Sequence, residues 1–215
     1  MVLKKRALIE KMTAPLFISD PFHDAGIGNF RHFARSSRYF HHDWLDFWGA
    51  DESYRCTEKL KWLLYTGYRE DFNRAAHTLS GLPESTRRAY IRSLPETDPL
   101  KNRMIHAGPY METLTFSGIA AFDYALYLTL FVSASKVGFQ IRGEADVFRD
   151  KLFKIAYAKY RSWHEYFQAC IAGIYFVLAQ PERISELGGR HYAFLRQQAD
   201  EQNSPRSLHW NELNA

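Results

Sequence analysis

Residues 118–135 read GIAAFDYALYLTLFVSAS, a stretch whose only charge is Asp123. A membrane span needs about 20 apolar residues. A carboxylate near its centre costs on the order of 3 kcal/mol on insertion. No second apolar stretch matches it, so the segment reads as a buried helix of a water-soluble protein. Its flanks extend the expected helix to roughly Met111–Val137, with Gly138 as the stop. Apolar residues cover most of its circumference, which is the pattern of a helix enclosed on all sides by others.

Those other helices are legible on both sides. Cys56, Leu60, Leu63 and Leu64 share one face, with Asp51 as the expected N-cap and Gly67 as the stop. Phe72, Ala75, Ala76 and Leu79 repeat the pattern up to Gly81. The link of about two residues between the two helices predicts antiparallel neighbours. Pro83 opens a third short helix that Pro95 forbids from continuing. Residues 95–109, with Pro95, Pro99, Gly108 and Pro109, read as a loop.

Downstream, Ala145, Phe148, Leu152, Ile155 and Ala156 stripe a helix from about Glu144 to Tyr160. Ser162 and Glu165 then form a capping box at the start of a helix carrying Phe167, Cys170, Ile171, Ile174 and Leu178, with Pro181 beyond its end. Gly173 inside that helix costs about 1 kcal/mol against alanine, which a close helix approach would explain. Residues 1–29 read as irregular, 30–48 as one aromatic-rich helix, Gly188-Gly189-Arg190-His191 as a turn, and 201–215 as a polar tail. Residues 30–200 then make one all-α domain of about eight helices around the apolar one.

Composition bounds the function. The chain has 215 residues, 46% of them apolar, 24% charged and 16% aromatic, which excludes fibrous and disordered classes. Two cysteines exclude a disulfide scaffold. The net charge of +4 is scattered, its densest run being Lys4-Lys5-Arg6, whereas nucleic-acid binders concentrate theirs. Ala7-Leu8-Ile9 is broken at once by Glu10, too short for a secretory signal. The expected location is the cytoplasm.

Two ordered sets of residues resemble a known family. The first is Trp48-Gly49-Ala50, Glu58, Leu60, Trp62-Leu63-Leu64, Gly67-Tyr68-Arg69 and Phe72. The second is Phe122-Asp123, Gly138-Phe139, Glu144-Ala145, Ser162-Trp163-His164-Glu165-Tyr166 and Gly173. Over roughly residues 45–180 the chain resembles the bacterial YbeU/YbeR-like family, a domain of unknown function. Three positions depart from the family pattern: Tyr68 stands for a histidine, and Leu126 and Ile174 each stand for an arginine. The resemblance brings no established activity. Some relatives are encoded beside J-domain and tetratricopeptide-like proteins, which implies work with partner proteins.

The candidate polar site consists of Glu58, Arg69, Asp123 and Glu165. A buried Asp123 needs a cation; Leu126 cannot supply it, and Arg69 is the leading alternative. His32, His41, His42 and Asp43 lack the three- or four-residue spacing of a helical metal site, so no metal is expected. His164 and Glu165 are better explained by capping than by acid–base catalysis, and no catalytic residue or cofactor is assigned. Tyr39, Phe40, Trp44, Phe47 and Trp48 form the candidate partner patch. The function expected is a non-enzymatic interaction or regulatory module, in a chaperone-linked or toxin–immunity setting. An enzyme with a pocket around Asp123, Arg69 and Glu58 is the alternative, and a nucleic-acid-binding module the third.

Overall fold

The computed structural model describes residues 2–141, 145–178, 183–202 and 208–214. In chain order the helices are α1 (Val2–Thr13), α2 (Asp20–Asp24), α3 (Phe30–Arg35), α4 (Arg38–Phe47), α5 (Ser53–Tyr65) and α6 (Tyr68–Ser80). They continue with α7 (Glu84–Ser93), α8 (Pro99–Ala107), α9 (Ala120–Val137), α10 (Ala145–Lys159), α11 (Trp163–Leu178) and α12 (Ile184–Gln202). No strand occurs among the described residues. The fold is all-α, and no helix among these residues is long and apolar enough to cross a membrane.

The apolar stretch becomes α9, which α1, α4, α5 and α11 pack around. It buries Ala120 to Leu130 without a break, then Ser133, Ala134 and Val137. The helix is shorter than its composition suggests. Residues 110–119 form turns instead, because Gly118 takes a positive φ of +52°. A Cβ there would also lie 2.5 Å from the Asn73 side chain. Gly173 explains the closeness of α11: its Cβ would sit 2.2 Å from Cβ of Phe122. A smaller second core joins Phe72, Leu79, Met104 and Phe176, so that α6, α8 and α11 form a layer beside α9.

More helices are present than the eight expected, for local reasons. Residues 2–24, read as irregular, are mostly helical, and Leu8, Met12, Leu16 and Phe22 from them are buried in the main core. The aromatic segment 30–48 is two helices, because Ser37 accepts a hydrogen bond from the Phe40 amide and starts α4 anew. The expected loop at 95–109 contains α8: Asp98 caps it through the Leu100 amide, and Pro99 occupies the tolerant first turn. Gly188 and Gly189 lie inside α12 rather than in a turn, where a Cβ on Gly188 would press to 3.4 Å on the Tyr175 hydroxyl.

Asp51 pairs with Arg55 at 3.3 Å instead of capping α5. Half of the capping box at α11 forms as expected, with Ser162 Oγ accepting from Glu165 N at 3.2 Å, while the glutamate reaches one residue further back. Glu165 returns its carboxylate to the Arg161 amide at 2.8 Å. The expected polar tail is also corrected: Trp210 packs edge-on to Trp163, and Leu213 is buried. Glu144 and Pro181 lie outside the described residues.

His41 ties α4 to α9. It is fully buried, and its Nδ1 lies 2.9 Å from Ser133 Oγ. Burial and, secondarily, the charge of Lys136 push its pKa down to about 4. The folded imidazole is thus neutral where the unfolded one, near 6.5, binds a proton. Its contribution to stability is complete above pH 6.5 and is lost as pH falls towards 4. A His41→Gln variant should therefore show a flatter loss of stability between pH 6.5 and 4 than the parent. The difference should reach up to about 3 kcal/mol by urea denaturation; parallel pH curves would contradict it.

Candidate functional site

Helix α5 ends at Tyr65 and α6 begins at Tyr68, so the chain must reverse within two residues. Gly67 makes this possible with φ +67°. It also leaves room: a Cβ there would lie 2.2 Å from Asp123 Oδ2 and 2.7 Å from Arg69 Nη1. Glycine is required twice over, by conformation and by space.

Asp123, in the first turn of α9, reaches into this turn. Its Oδ1 accepts from the Tyr68 amide at 2.8 Å and its Oδ2 from the Arg69 amide at 3.2 Å. These amides open α6 and have no partner within their own helix. Arg69 Nη1 donates to the same Oδ2 at 2.9 Å and to Leu63 O at 2.7 Å, while Nη2 donates to Leu64 O at 2.8 Å. One buried ion pair thereby places an anion at the start of α6 and a cation at the end of α5. Both signs complement the helix dipoles.

Burial pushes the Asp123 carboxyl up, to about 7, against the opposing pull of Arg69 and the two amides. The carboxylate is 0% exposed. The guanidinium lies 5.8 Å from the Tyr124 ring centroid. Through the contacts of Asp123 with α6 and of Arg69 with the end of α5, the pair joins α5, α6 and α9.

The other candidate polar residues lie elsewhere. Glu58 faces solvent and pairs with Lys61 at 3.0 Å. Glu165 is committed to its cap at α11. Tyr68, Leu126 and Ile174 have packing roles. Tyr68 accepts a hydrogen bond from Lys59 Nζ at 3.3 Å and packs on Trp48, Trp62 and Phe122. Leu126 and Ile174 are wholly buried. The Lys59 ammonium sits 4.6 Å from the Trp62 ring centroid, and burial lowers its pKa.

The aromatic patch is divided rather than continuous. Tyr39 and Phe47 are 77% and 60% exposed, but Trp44 and Trp48 are core residues and Phe40 packs edge-on to Phe33. Helical periodicity explains the split: positions 41, 44, 45 and 48 form the inward stripe of α4. Cys56 and Cys170 are buried, which raises both thiols, Cys56 to about 12. Among the described residues no group of three His, Cys, Asp or Glu could hold a metal ion.

Concave surface lies elsewhere, and two of the grooves among the described residues carry cations beside apolar or aromatic walls. One, of about 610 Å³, runs between α7 and α8. Leu79, Ile91, Met104 and Pro109 line it as apolar surface, and its cations are Arg87, Arg88, Arg92 and Lys101 against the carboxylates of Glu84 and Glu112. Arg87 pairs with Glu112 at 2.5 Å and Lys101 with Glu96 at 2.6 Å. Arg88 and Arg92 are exposed and make no ion pair among the described residues. Helix α7 buries no residue at all. The i, i+4 spacing of Arg88 and Arg92 on a helix with so little apolar surface was the available signal. The second groove, of about 670 Å³, lies along α6 beside residues 116 and 117.

The chain is thus an all-helical protein with a buried ionic fastener and two open grooves. Residues 45–214 match the family described as a protein of unknown function (DUF1266). The chain belongs to that family. Neither the comparison with curated proteins nor that with solved structures returned a match.

The geometry makes a mutational prediction. Asp123→Ala leaves a buried guanidinium and two amides unsatisfied, and should cost about 3–5 kcal/mol. Arg69→Met should be similarly costly. The double variant should lose clearly less than the sum, with a coupling of about 1–3 kcal/mol in chemical denaturation. Simple additivity would show that the two residues do not act as a pair.

Proposed function

We propose that the protein is a non-enzymatic binding module that receives an acidic, amphipathic helical segment of a partner protein in the groove between α7 and α8. The observation that carries this is the groove's composition: an apolar floor edged by Arg88 and Arg92, neither of which has a carboxylate partner within the described chain. An amphipathic helix would lay its apolar stripe on Ile91 and Ile105 and its carboxylates beside the arginines. Charge of this kind sets partner choice and association rate.

The enzymatic alternative around Asp123, Arg69 and Glu58 has less support. Glu58 lies apart from the other two, and Asp123 has no exposed atom for a substrate to meet. A nucleic-acid role draws on the same arginines, but the apolar floor offers phosphates nothing. Within the family, the motifs around Trp48, Gly67 and Ser162 favour a YbeU/YbeR-like bacterial protein. The lack of a long apolar helix among the described residues and the two unpaired thiols favour the cytoplasm, in a chaperone-linked or toxin–immunity setting.

Calorimetric titration of the full chain tests the reading with two model peptides. Both carry leucine at i, i+3, i+4 and i+7; one has glutamate and the other lysine elsewhere. The acidic peptide should bind with a Kd on the order of micromolar. Its affinity should fall at least about tenfold in Arg88→Glu/Arg92→Glu, and substitution of Tyr39 and Phe47 should leave it unchanged. Equal binding of both peptides, or indifference to the arginine reversal, would refute the proposal.

A further inference from the structure

The second groove has a different chemistry. Its wall along α6 consists of Arg69, Asn73 and His77 in one stripe and Glu70, Arg74 and Thr78 in the next. Opposite lie Tyr65 and Thr66 from the end of α5, Phe116 and Ser117 from the turns before α9, and Lys159 from the last turn of α10.

Two features of this groove stand out. Phe116 is 87% exposed, and Tyr65, edge-on to Phe148, is still 64% exposed, so two large rings face water at one cavity. Lys159 is half-buried and makes no ion pair among the described residues. Burial and the nearby Arg69 charge lower its pKa, with Asp123 acting in the opposite sense.

The remaining charges do not neutralise that ammonium. Arg69 is committed to Asp123 and to the carbonyls of α5. Arg74 pairs with Asp71, which Arg103 also holds at 3.0 Å. Glu70 is the one carboxylate in the wall, against Arg69, Arg74 and Lys159.

We infer that this groove is a binding site for a small aromatic anion, its ring against Phe116 and Tyr65 and its acidic group directed to the Lys159 ammonium. Aromatic rings supply contact at low entropic cost. A charge-assisted bond at a half-buried ammonium discriminates an acid from its neutral amide. The site is separate from the α7–α8 groove and does not rest on the function proposed for it.

The test is a titration of the full chain, followed by NMR and calorimetry, with 2-naphthoate, 2-naphthamide and inorganic phosphate as probes. Naphthoate should bind at least about tenfold more tightly than the amide or phosphate. Lys159→Gln should remove the preference for the acid over the amide. Phe116→Ala should weaken both aromatic probes. Lys159 and Phe116 lie outside the core, so their variants should unfold at the parent temperature. Arg88→Glu/Arg92→Glu should bind naphthoate like the parent, which separates this site from the other groove. Equal affinity for acid and amide, phosphate binding as tightly as naphthoate, or unchanged naphthoate affinity in Lys159→Gln would overturn the assignment.

Discussion

A carboxylate with no exposed atom meets a guanidinium where two helices join, and the rest of the fold is arranged around that contact. Helix ends are polar: α5 finishes with carbonyls that have no partner in the helix and α6 starts with unpaired amides. Such a junction would ordinarily face water. Here it is pressed against α9, so those groups had to be satisfied from within. Asp123 serves the amides and Arg69 the carbonyls, and each neutralises the other. The requirement extends to Gly67, because any side chain at that position would occupy the space of the pair.

This arrangement also bears on where function resides. A carboxylate enclosed on all sides, with its oxygens held by the protein, is a poor acid or base, since a reacting group has no approach to it. The same reasoning applies to the raised thiols of Cys56 and Cys170 and to the neutral His41. Asp123 and Arg69 hold α5, α6 and α9 together, and His41 holds α4 to α9. At the surface, two of the grooves among the described residues present cations without carboxylate partners beside apolar or aromatic walls. Both border α6, the helix that the ion pair fixes in place, so the fastener sets the geometry of the grooves without lining the first of them.

The all-helical class and the buried course of residues 120–137 were legible because apolar period and length are properties of the sequence itself. Arg69 was the leading candidate for the cation that a buried Asp123 needs, and the fold brings the two together. The ends of elements were not. Gly118 looked compatible with a longer helix, while in the fold it takes a φ of +52° and a side chain there would meet Asn73. Ser37 looked like one more polar residue in a helix, while in the fold it starts a new one. Trp44 and Trp48 seemed part of a surface patch because composition does not reveal which side of a short helix meets the core. The grooves were invisible for a related reason. They bring α6 together with α7 and α8, or with residues 116, 117 and 159, and such placement depends on tertiary packing rather than local spacing.

The account depends on the opening amides of α6 being held by Asp123. Amides at a helix start lack partners in their own helix and ordinarily exchange with solvent as fast as fraying ends do. Native-state hydrogen exchange at Tyr68 and Arg69 reads this directly. The account predicts that both amides exchange only through global unfolding, with protection equal to that of the α9 core. Exchange at the rate of an uncapped helix terminus, with α9 still protected, would contradict it.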